Sequence, residues 1–298
     1  MRIASKTLFD GVVRDLARVS KEMLDAQQIV SSGKKINSLS DDPVGLVTVL
    51  GLRSSIANIE QLDKNIDLGQ SWLTTCDSTL GQIDSIMSSA RELCVQFSNA
   101  SVGSSDRANA ASIVDGYLEQ IITLANTQIG GRYVFAGTNT DISPYELNST
   151  GTQVDYHGTR TPFSIKIGRD TNMAVGKDGQ EIFGENQDNE NIFKTFIDLK
   201  TALQTNNISA IAGTLDKLES HMATVSSHVS DISGKTLSLN TKKSVIQGLG
   251  LNYKERKSDI EDADLAEAIM NLSARELAYN AALSSSAKIM GTSLVDFL

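Results

Sequence analysis

The sequence predicts a mainly α-helical protein, in which a long antiparallel coiled-coil helical rod is built from both chain ends and a small β-rich insertion lies in the middle. Three observations lead to this prediction. Apolar residues recur at alternating spacings of three and four over long segments of the 298-residue chain, as in coiled-coil helices. Between residues 130 and 187 the period changes to two. Aromatic residues make up 5% of the chain, which favours aliphatic seams over a ring-filled core.

The first predicted helix places its apolar residues on a heptad seam. The seam residues are Phe9, Val12, Leu16, Val19, Met23 and Val30. The helix should end at Gly33, because glycine readily adopts the left-handed conformation of a C-terminal cap. The next helix should begin at Asp42-Pro43, since Asp42 can accept hydrogen bonds from free backbone N–H groups and Pro43 needs no donor at the first helical position.

Helical periodicity continues through most of the central chain. An apolar stripe runs from residue 62 to residue 97, interrupted only at Gly69, and extends upstream to residue 49 with a change of register between Ile59 and Leu62. A further helix returns over residues 106–128. After the β segment the helical period resumes near residue 191, and a seam starts at Ile208. Gly248 and Gly250 weaken this last helix, so its continuity to about residue 258 stays open.

The C-terminal segment carries a second heptad seam. Asp264, with Glu267 three residues later, is typical of a capping box that opens a helix. The seam residues that follow are Leu265, Ile269, Leu272, Tyr279, Leu283, Met290 and Phe297. Because one helix cannot bury such a stripe alone, we expect the N- and C-terminal helices to pair and neighbouring subunits to cover the remainder.

These patterns divide the chain into three predicted domains. Residues 1–40 and 259–298 form a terminal coiled-coil assembly domain, and residues 41–130 and 188–258 form a helical rod domain. Residues 131–187 form a β-rich peripheral insertion.

The composition argues against several functional classes. A formal net charge of -9 opposes binding to the phosphates of a nucleic acid. No run approaches the roughly 18 apolar residues of a membrane helix, and the first residues lack the pattern of a Sec-type signal peptide. We therefore expect neither a nucleic-acid partner nor membrane insertion.

We find no constellation of residues that would support catalysis or bind a metal ion or cofactor. His221 and His228 are not spaced as helical metal ligands, so we expect them at exposed positions beside the seam. Cys76 and Cys94 are too far apart on one helix for a disulfide and should be buried. The acidic residues within 259–264 should cap and solvate a helix junction. We therefore expect a non-enzymatic protein without cofactors.

Four segments resemble the characteristic ends of the bacterial flagellins and their relatives. They are residues 30–38, 41–45, 260–267 and 293–298. The motif residues that we single out are Ser32, Gly33, Ile36, Asn37, Asp41, Asp42, Pro43, Asp262 and Asp264. Within that superfamily, the start at residues 1–4, the Pro43-Val44 pair, residues 130–137 and the Phe297-Leu298 ending resemble subunits of the junction between hook and filament.

The resemblance implies a structural, extracellular component of the bacterial flagellum with a role in motility. Such a subunit would be exported by the flagellar type III apparatus without a cleaved signal peptide. It would assemble with copies of itself into a ring between hook-associated protein 1 and the flagellin filament, and a cytoplasmic flagellar export chaperone would bind it before export. Two alternatives stay open: a flagellin filament subunit and, more remotely, a ligand-binding module that uses the β insertion.

Overall fold

The computed structural model describes residues 2–99, 101–185 and 191–295. Its helices are α1 (Arg2–Ser32), α2 (Pro43–Phe97), α3 (Ser104–Ala125), α4 (Gly179–Phe183), α5 (Ile192–Gln204), α6 (Ile208–Glu261) and α7 (Leu265–Val295). Its strands are β1 (Gln128–Ile129), β2 (Arg132–Tyr133), β3 (Tyr145–Leu147), β4 (Val154–Tyr156), β5 (Ser164–Lys166) and β6 (Asn172–Ala174). The predicted fold class, mainly helical with a small β-rich segment in the middle, is confirmed.

The helix ends follow from local sequence signals. Gly33 ends α1 with a φ of 69°, the left-handed conformation that glycine adopts without a steric penalty. Asp42 Oδ1 accepts a hydrogen bond of 3.1 Å from the amide of Val44 and so caps the start of α2. Asp264 Oδ1 does the same for α7 through the amide of Ala266, at 2.9 Å. These predicted caps are confirmed.

The chain folds into two compact units. Unit 1 comprises Met1–Ile59 and Gly248–Leu298, and unit 2 comprises Glu60–Gln247. Helices α2 and α6 contribute residues to both units, and α6 runs through Gly248 and Gly250, which answers the question left open by the sequence. Residues 131–187 group with the helices of unit 2. The functional division into three domains stays a prediction.

Unit 1 contains the pair formed by α1 and α7. The two helices run antiparallel, because Lys34 forms an antiparallel bridge with Asp262 while Glu22, further back along α1, forms an ion pair with Arg275, further along α7. The buried side chains among the described residues of unit 1 are Ala26, Ile36, Val49, Leu52, Glu261 and Ala268. Many larger apolar side chains of this unit therefore stay partly or fully accessible to solvent.

Unit 2 is built on the antiparallel pair of α2 and α6, in which Asp67 contacts Lys243 and Arg91, further along α2, contacts Glu219, further back along α6. The buried residues of α6 recur every seven positions: Ile211, Leu218, Val225, Ile232, Leu239 and Ile246. The facing stripe on α2 includes Leu73, Leu80, Ile83 and Met87, all fully buried. Helix α3 packs against α5, where Lys200 Nζ lies 2.6 Å from Asp115 Oδ1. The predicted apolar stripe of α2 and the predicted seam that starts at Ile208 thus form the helical core of this unit.

Both cysteines lie within that core, as the sequence predicts. Cys76 and Cys94 are free thiols on α2 and are buried. Burial raises the pKa of the Cys76 thiol to about 12 and also raises the pKa of Cys94. At neutral pH these thiols are protonated and pack as small apolar groups.

The two histidines on α6 are not exposed. His221 is half-buried, with Nε2 3.1 Å from Thr195 Oγ1 of α5. His228 is also half-buried; its Nε2 lies 3.1 Å from the carbonyl oxygen of Glu181, and its Nδ1 lies 3.3 Å from Lys177 Nζ. The expectation of exposed positions was wrong, because α4 and α5 cover this part of α6.

The β segment shares its core with the helices of unit 2. The strands pair antiparallel as β1 with β2, β3 with β4, and β5 with β6. The ring of Tyr145 from β3 packs against Phe193 of α5 and Phe183 of α4, with centroid distances of 4.8 and 5.4 Å. A Cβ atom at Gly69 of α2 would lie 2.4 Å from Ile165 Cδ1 of β5. The glycine that interrupts the α2 stripe therefore makes room for a strand.

Candidate assembly surface

The predicted seam of α1 is partly covered. Its members Val12, Leu16, Val19, Met23 and Val30 are half-buried, while Phe9 is 48% exposed. Ala26, which continues the same three/four spacing, is buried. Pairing with α7 thus covers this seam incompletely.

The predicted seam of α7 is more exposed. Leu265 and Ile269 are about half exposed, at 50% and 52%, and Leu283 is 39% exposed. Leu272 and Tyr279 are half-buried. Met290 lies within α7, but its side chain, like Phe297 as a whole, lies outside the described residues.

The less exposed face of α7 combines predicted seam residues with others that the sequence analysis did not identify. Its members are Ala268, Leu272, Arg275, Tyr279, Ala282 and Ser286, spaced alternately by four and three. Small residues at heptad spacing were the signal that could have revealed this face. The larger side chains of Ile269, Met270 and Leu277 lie off this face and stay exposed in the single subunit. A role of the predicted seam residues in assembly stays a prediction.

The connector between α1 and α2 is held by its own side chains. Asp41 Oδ2 accepts hydrogen bonds from the amides of Asn37 and Ser38, at 3.0 and 2.8 Å. These bonds lower the pKa of the Asp41 carboxyl. The side chain of Asn37 donates to the carbonyl oxygen of Lys34 at 2.8 Å. This explains why these residue types suit the connector.

The start of α2 closes around the connector. Ile36 is buried, and a Cβ atom at Gly45 would lie 2.8 Å from Ile36 Cδ1 and 2.2 Å from Asp42 Oδ2. Gly45 is therefore required for close packing here. Pro43 occupies the first position of α2, as predicted. The exposed residue Ser32 ends α1, and its hydroxyl accepts a hydrogen bond from the amide of Lys34 at 3.2 Å.

A charge cluster, formed by Glu261, Lys34 and Arg53, lies where this connector meets the junction between α6 and α7. Lys34 Nζ lies 2.6 Å and Arg53 Nη2 2.5 Å from Glu261 Oε1. Glu261 is 2% exposed. Burial alone would raise the pKa of its carboxyl, but hydrogen bonds and charges from Lys34 and Arg53 outweigh burial and lower the pKa below its usual range.

The acidic segment 259–264 thus differs from the expectation of a solvated junction. Asp264 does cap α7, and Asp262 is exposed, with its Oδ2 accepting a hydrogen bond from the hydroxyl of Ser258. Glu261, by contrast, is buried and neutralised by two cations. Sequence reasoning missed the cluster because Lys34 and Arg53 are more than 200 positions from Glu261.

Stability should depend on pH through Glu261. Because the pKa of its carboxyl is lower in the folded protein than its ordinary value of 4.5, Glu261 stabilises the fold fully above that value. This contribution is lost as the pH falls through the lowered pKa. We therefore expect the free energy of unfolding of unit 1 in the parent and in Glu261→Gln to differ most near neutral pH and to converge in acid. Urea denaturation at a series of pH values measures both, and a difference independent of pH would contradict this assignment.

Within the described part of the chain, no group of three His, Cys, Asp or Glu side chains is placed to hold a metal ion. A search of the same residues finds no helix with the length and apolar character that crossing a membrane requires.

Comparison with known proteins finds flagellar proteins that are similar to this chain. Residues 11–140 match the model of the bacterial flagellin N-terminal helical region. The chain is 24% identical to flagellar hook-associated protein 3 of Salmonella typhimurium over 99% of its own length and 98% of that protein. It is 32% identical to a flagellin of Listeria monocytogenes, over 38% of this chain and 39% of the flagellin.

A solved structure shares the fold. The crystal structure of flagellar hook-associated protein 3 from Legionella pneumophila superposes with a TM-score of 0.62 at 16% sequence identity, covering 70% of this chain and 98% of that one. The resemblance indicated by the terminal motifs is therefore confirmed: residues 11–140 are similar to the N-terminal helical region of the bacterial flagellins, and the chain is similar over nearly its whole length to flagellar hook-associated protein 3.

Proposed function

We propose that this chain is a structural axial component of the bacterial flagellum that forms the junction between hook-associated protein 1 and the flagellin filament. The observation that carries the proposal is the exposed apolar surface of α7 in the single subunit. Leu265 and Ile269 are half exposed, and Met270 and Leu277 are 67% and 72% exposed. A helix that leaves such side chains in water gains stability when a further protein surface covers them.

Copies of the same chain are the first partners that this surface suits. The exposed residues recur along a helix whose other face already packs against α1, so a further helix can lie alongside the pair. Repetition of one contact around an axis would close into a ring. Residues of the two seams, which belong to the predicted terminal assembly domain, would then become buried between subunits.

Similarity favours a junction subunit over the flagellin alternative. The match to hook-associated protein 3 covers 99% of this chain and 98% of that protein, whereas a match to a flagellin of Proteus mirabilis covers 78% of this chain and 58% of the flagellin. In this proposal hook-associated protein 1 and flagellin contact opposite sides of the ring, and the subunit reaches the flagellum through its type III export apparatus.

Electron microscopy of intact flagella tests the proposal directly. Thr150 lies in the exposed turn between β3 and β4, and the native cysteines are buried, so gold coupled to a Thr150→Cys variant should label one site. We expect a narrow band of gold where hook and filament meet, and hooks without filaments when the gene is deleted. Gold along the whole filament would support the flagellin alternative and overturn the proposal.

Binding of an export chaperone provides a separate prediction. The exposed Leu265, Ile269 and Leu283 give a chaperone a surface that needs shielding before export. Removing residues 259–298 should therefore abolish binding of the cytoplasmic flagellar chaperone, whereas removing residues 2–32 should leave it. Calorimetric titration of the purified proteins measures this. Undiminished binding by the first truncation would place the contact elsewhere.

A further inference from the structure

We propose that Glu261 is a positioning residue: with Lys34 and Arg53 it locks the connector between α1 and α2 onto the junction between α6 and α7, so that both terminal helices start from one fixed point. This inference rests on the proposed assembly function and extends it, because it names what orients the assembling helices before other subunits cover them.

Few backbone hydrogen bonds join the two segments at this point, and each segment donates one to the other. The amide of Lys35 donates to the carbonyl oxygen of Glu261, and the amide of Ala263 donates to that of Gly33, each at 2.9 Å. Lys35 Nζ also donates to the carbonyl oxygen of Asp259 at 2.7 Å. These bonds join two segments whose own helices end here, at Ser32 and at Glu261. Whether they persist therefore depends on what holds the segments together.

The charge cluster joins three segments of the chain at this point. Glu261 belongs to the end of α6, Lys34 to the connector and Arg53 to α2. Both cations contact the same oxygen, Oε1, and Oε2 has no hydrogen-bond partner among the described residues. A buried carboxylate with one unpartnered oxygen depends strongly on its two cations. Loss of either cation should therefore release the connector from the segment between α6 and α7.

A second ion pair, between the terminal helices α1 and α7 themselves, provides a contrast. Glu22 of α1 and Arg275 of α7 also join the two helices, but their side chains are 34% and 43% exposed. Water and salt screen such a pair, and its contribution is small. The cations Lys34, Arg53 and Arg275 are similarly exposed, at 38%, 47% and 43%. The two sites therefore differ chiefly in the burial of the carboxylate, which is 2% exposed in Glu261 and 34% in Glu22. The Glu22–Arg275 pair is therefore a suitable control.

Amide hydrogen exchange followed by NMR reports on the lock directly. The amides of Lys35 and Ala263 donate across it, and amides of the buried part of α6 in unit 2 show whether the protein stays folded. We expect Glu261→Gln and Arg53→Met to accelerate exchange at Lys35 and Ala263 by roughly a hundredfold, with unit 2 unchanged. Arg53→Lys keeps the charge and should restore most of the protection, and Arg275→Gln should change it less than threefold.

Incorporation at the junction is measured on the same variants by gold labelling through Thr150→Cys. We expect the Glu261→Gln and Arg53→Met proteins to be absent from the junction between hook and filament, and the Arg53→Lys and Arg275→Gln proteins to be present there. Unchanged exchange in Glu261→Gln would overturn the proposal. Faster exchange together with normal incorporation would overturn the positioning role and leave the proposed function intact. If the parent protein itself is absent from the junction, the proposed function fails, and the exchange comparison alone decides whether the cluster holds the two segments.

Discussion

A Leu283→Asp variant is expected to fold as the parent protein does and yet to form no junction. Leu283 is 39% exposed in the single subunit, so a carboxylate there meets water and costs little for folding. In the proposed ring the same position is covered by a neighbouring subunit. An unpaired carboxylate buried there costs on the order of several kcal/mol at each interface, and the cost repeats around the ring.

The measurement combines motility in soft agar with electron microscopy of the hook ends. We expect non-motile cells whose hooks carry no filament. Asn280→Asp is the matched control, since it adds the same charge to an exposed polar position of α7 and should leave cells motile. Leu16→Asp should also block assembly, but Leu16 is half-buried, so this variant also disturbs the α1–α7 pair. A motile Leu283→Asp strain would show that this part of α7 does not lie in the interface between subunits.

Tyr145→Ala is expected to destabilise unit 2 by about 3–5 kcal/mol, the usual cost of removing a fully buried aromatic ring. Tyr145 is 3% exposed, and its ring contacts Tyr156, Phe183 and Phe193. The cavity left behind would lie where β3 meets α4 and α5, which cannot close around it without moving. The fluorescence of Trp72, the sole tryptophan, follows urea unfolding of this unit.

Tyr145→Phe distinguishes the ring from its hydroxyl group. The hydroxyl of Tyr145 is buried and has no hydrogen-bond partner among the described residues. Because an unsatisfied buried hydroxyl is unfavourable, its removal should leave stability unchanged or raise it slightly. Leu147→Ala, on the same strand but 39% exposed, should cost less than about 1 kcal/mol. Equal losses for Tyr145→Ala and Leu147→Ala would show that the β segment is peripheral to the core of unit 2.

The helices and their ends follow from the sequence alone because their signals are local. A helix brings residues three and four positions apart onto one face, so the repeat that includes Ile211 and Leu218 is visible without knowing its partner. The caps at Gly33, Asp42 and Asp264 depend on backbone groups within three residues. The resemblance to the flagellins could be found in the sequence for a related reason, since the terminal motifs are long continuous strings.

Contacts between distant segments required the tertiary structure. Gly69 interrupts an apolar stripe in the sequence, and only the approach of Ile165 to within 2.4 Å of an added Cβ atom explains it. The burial of His221 and His228 depends in the same way on α4 and α5.

The division of each apolar helix into covered and exposed faces was likewise decided by packing. The sequence determined that α1 and α7 carry apolar seams that one helix cannot bury, but the register of the pair selects which side chains lie inside. The burial of Glu261 could not be predicted from the sequence either, since its sequence neighbours suggest a solvated acidic turn. Lys34 and Arg53 contact Glu261 only because the fold brings the end of α6 next to the N-terminal part of the chain. A carboxylate can be buried where two such cations neutralise its charge.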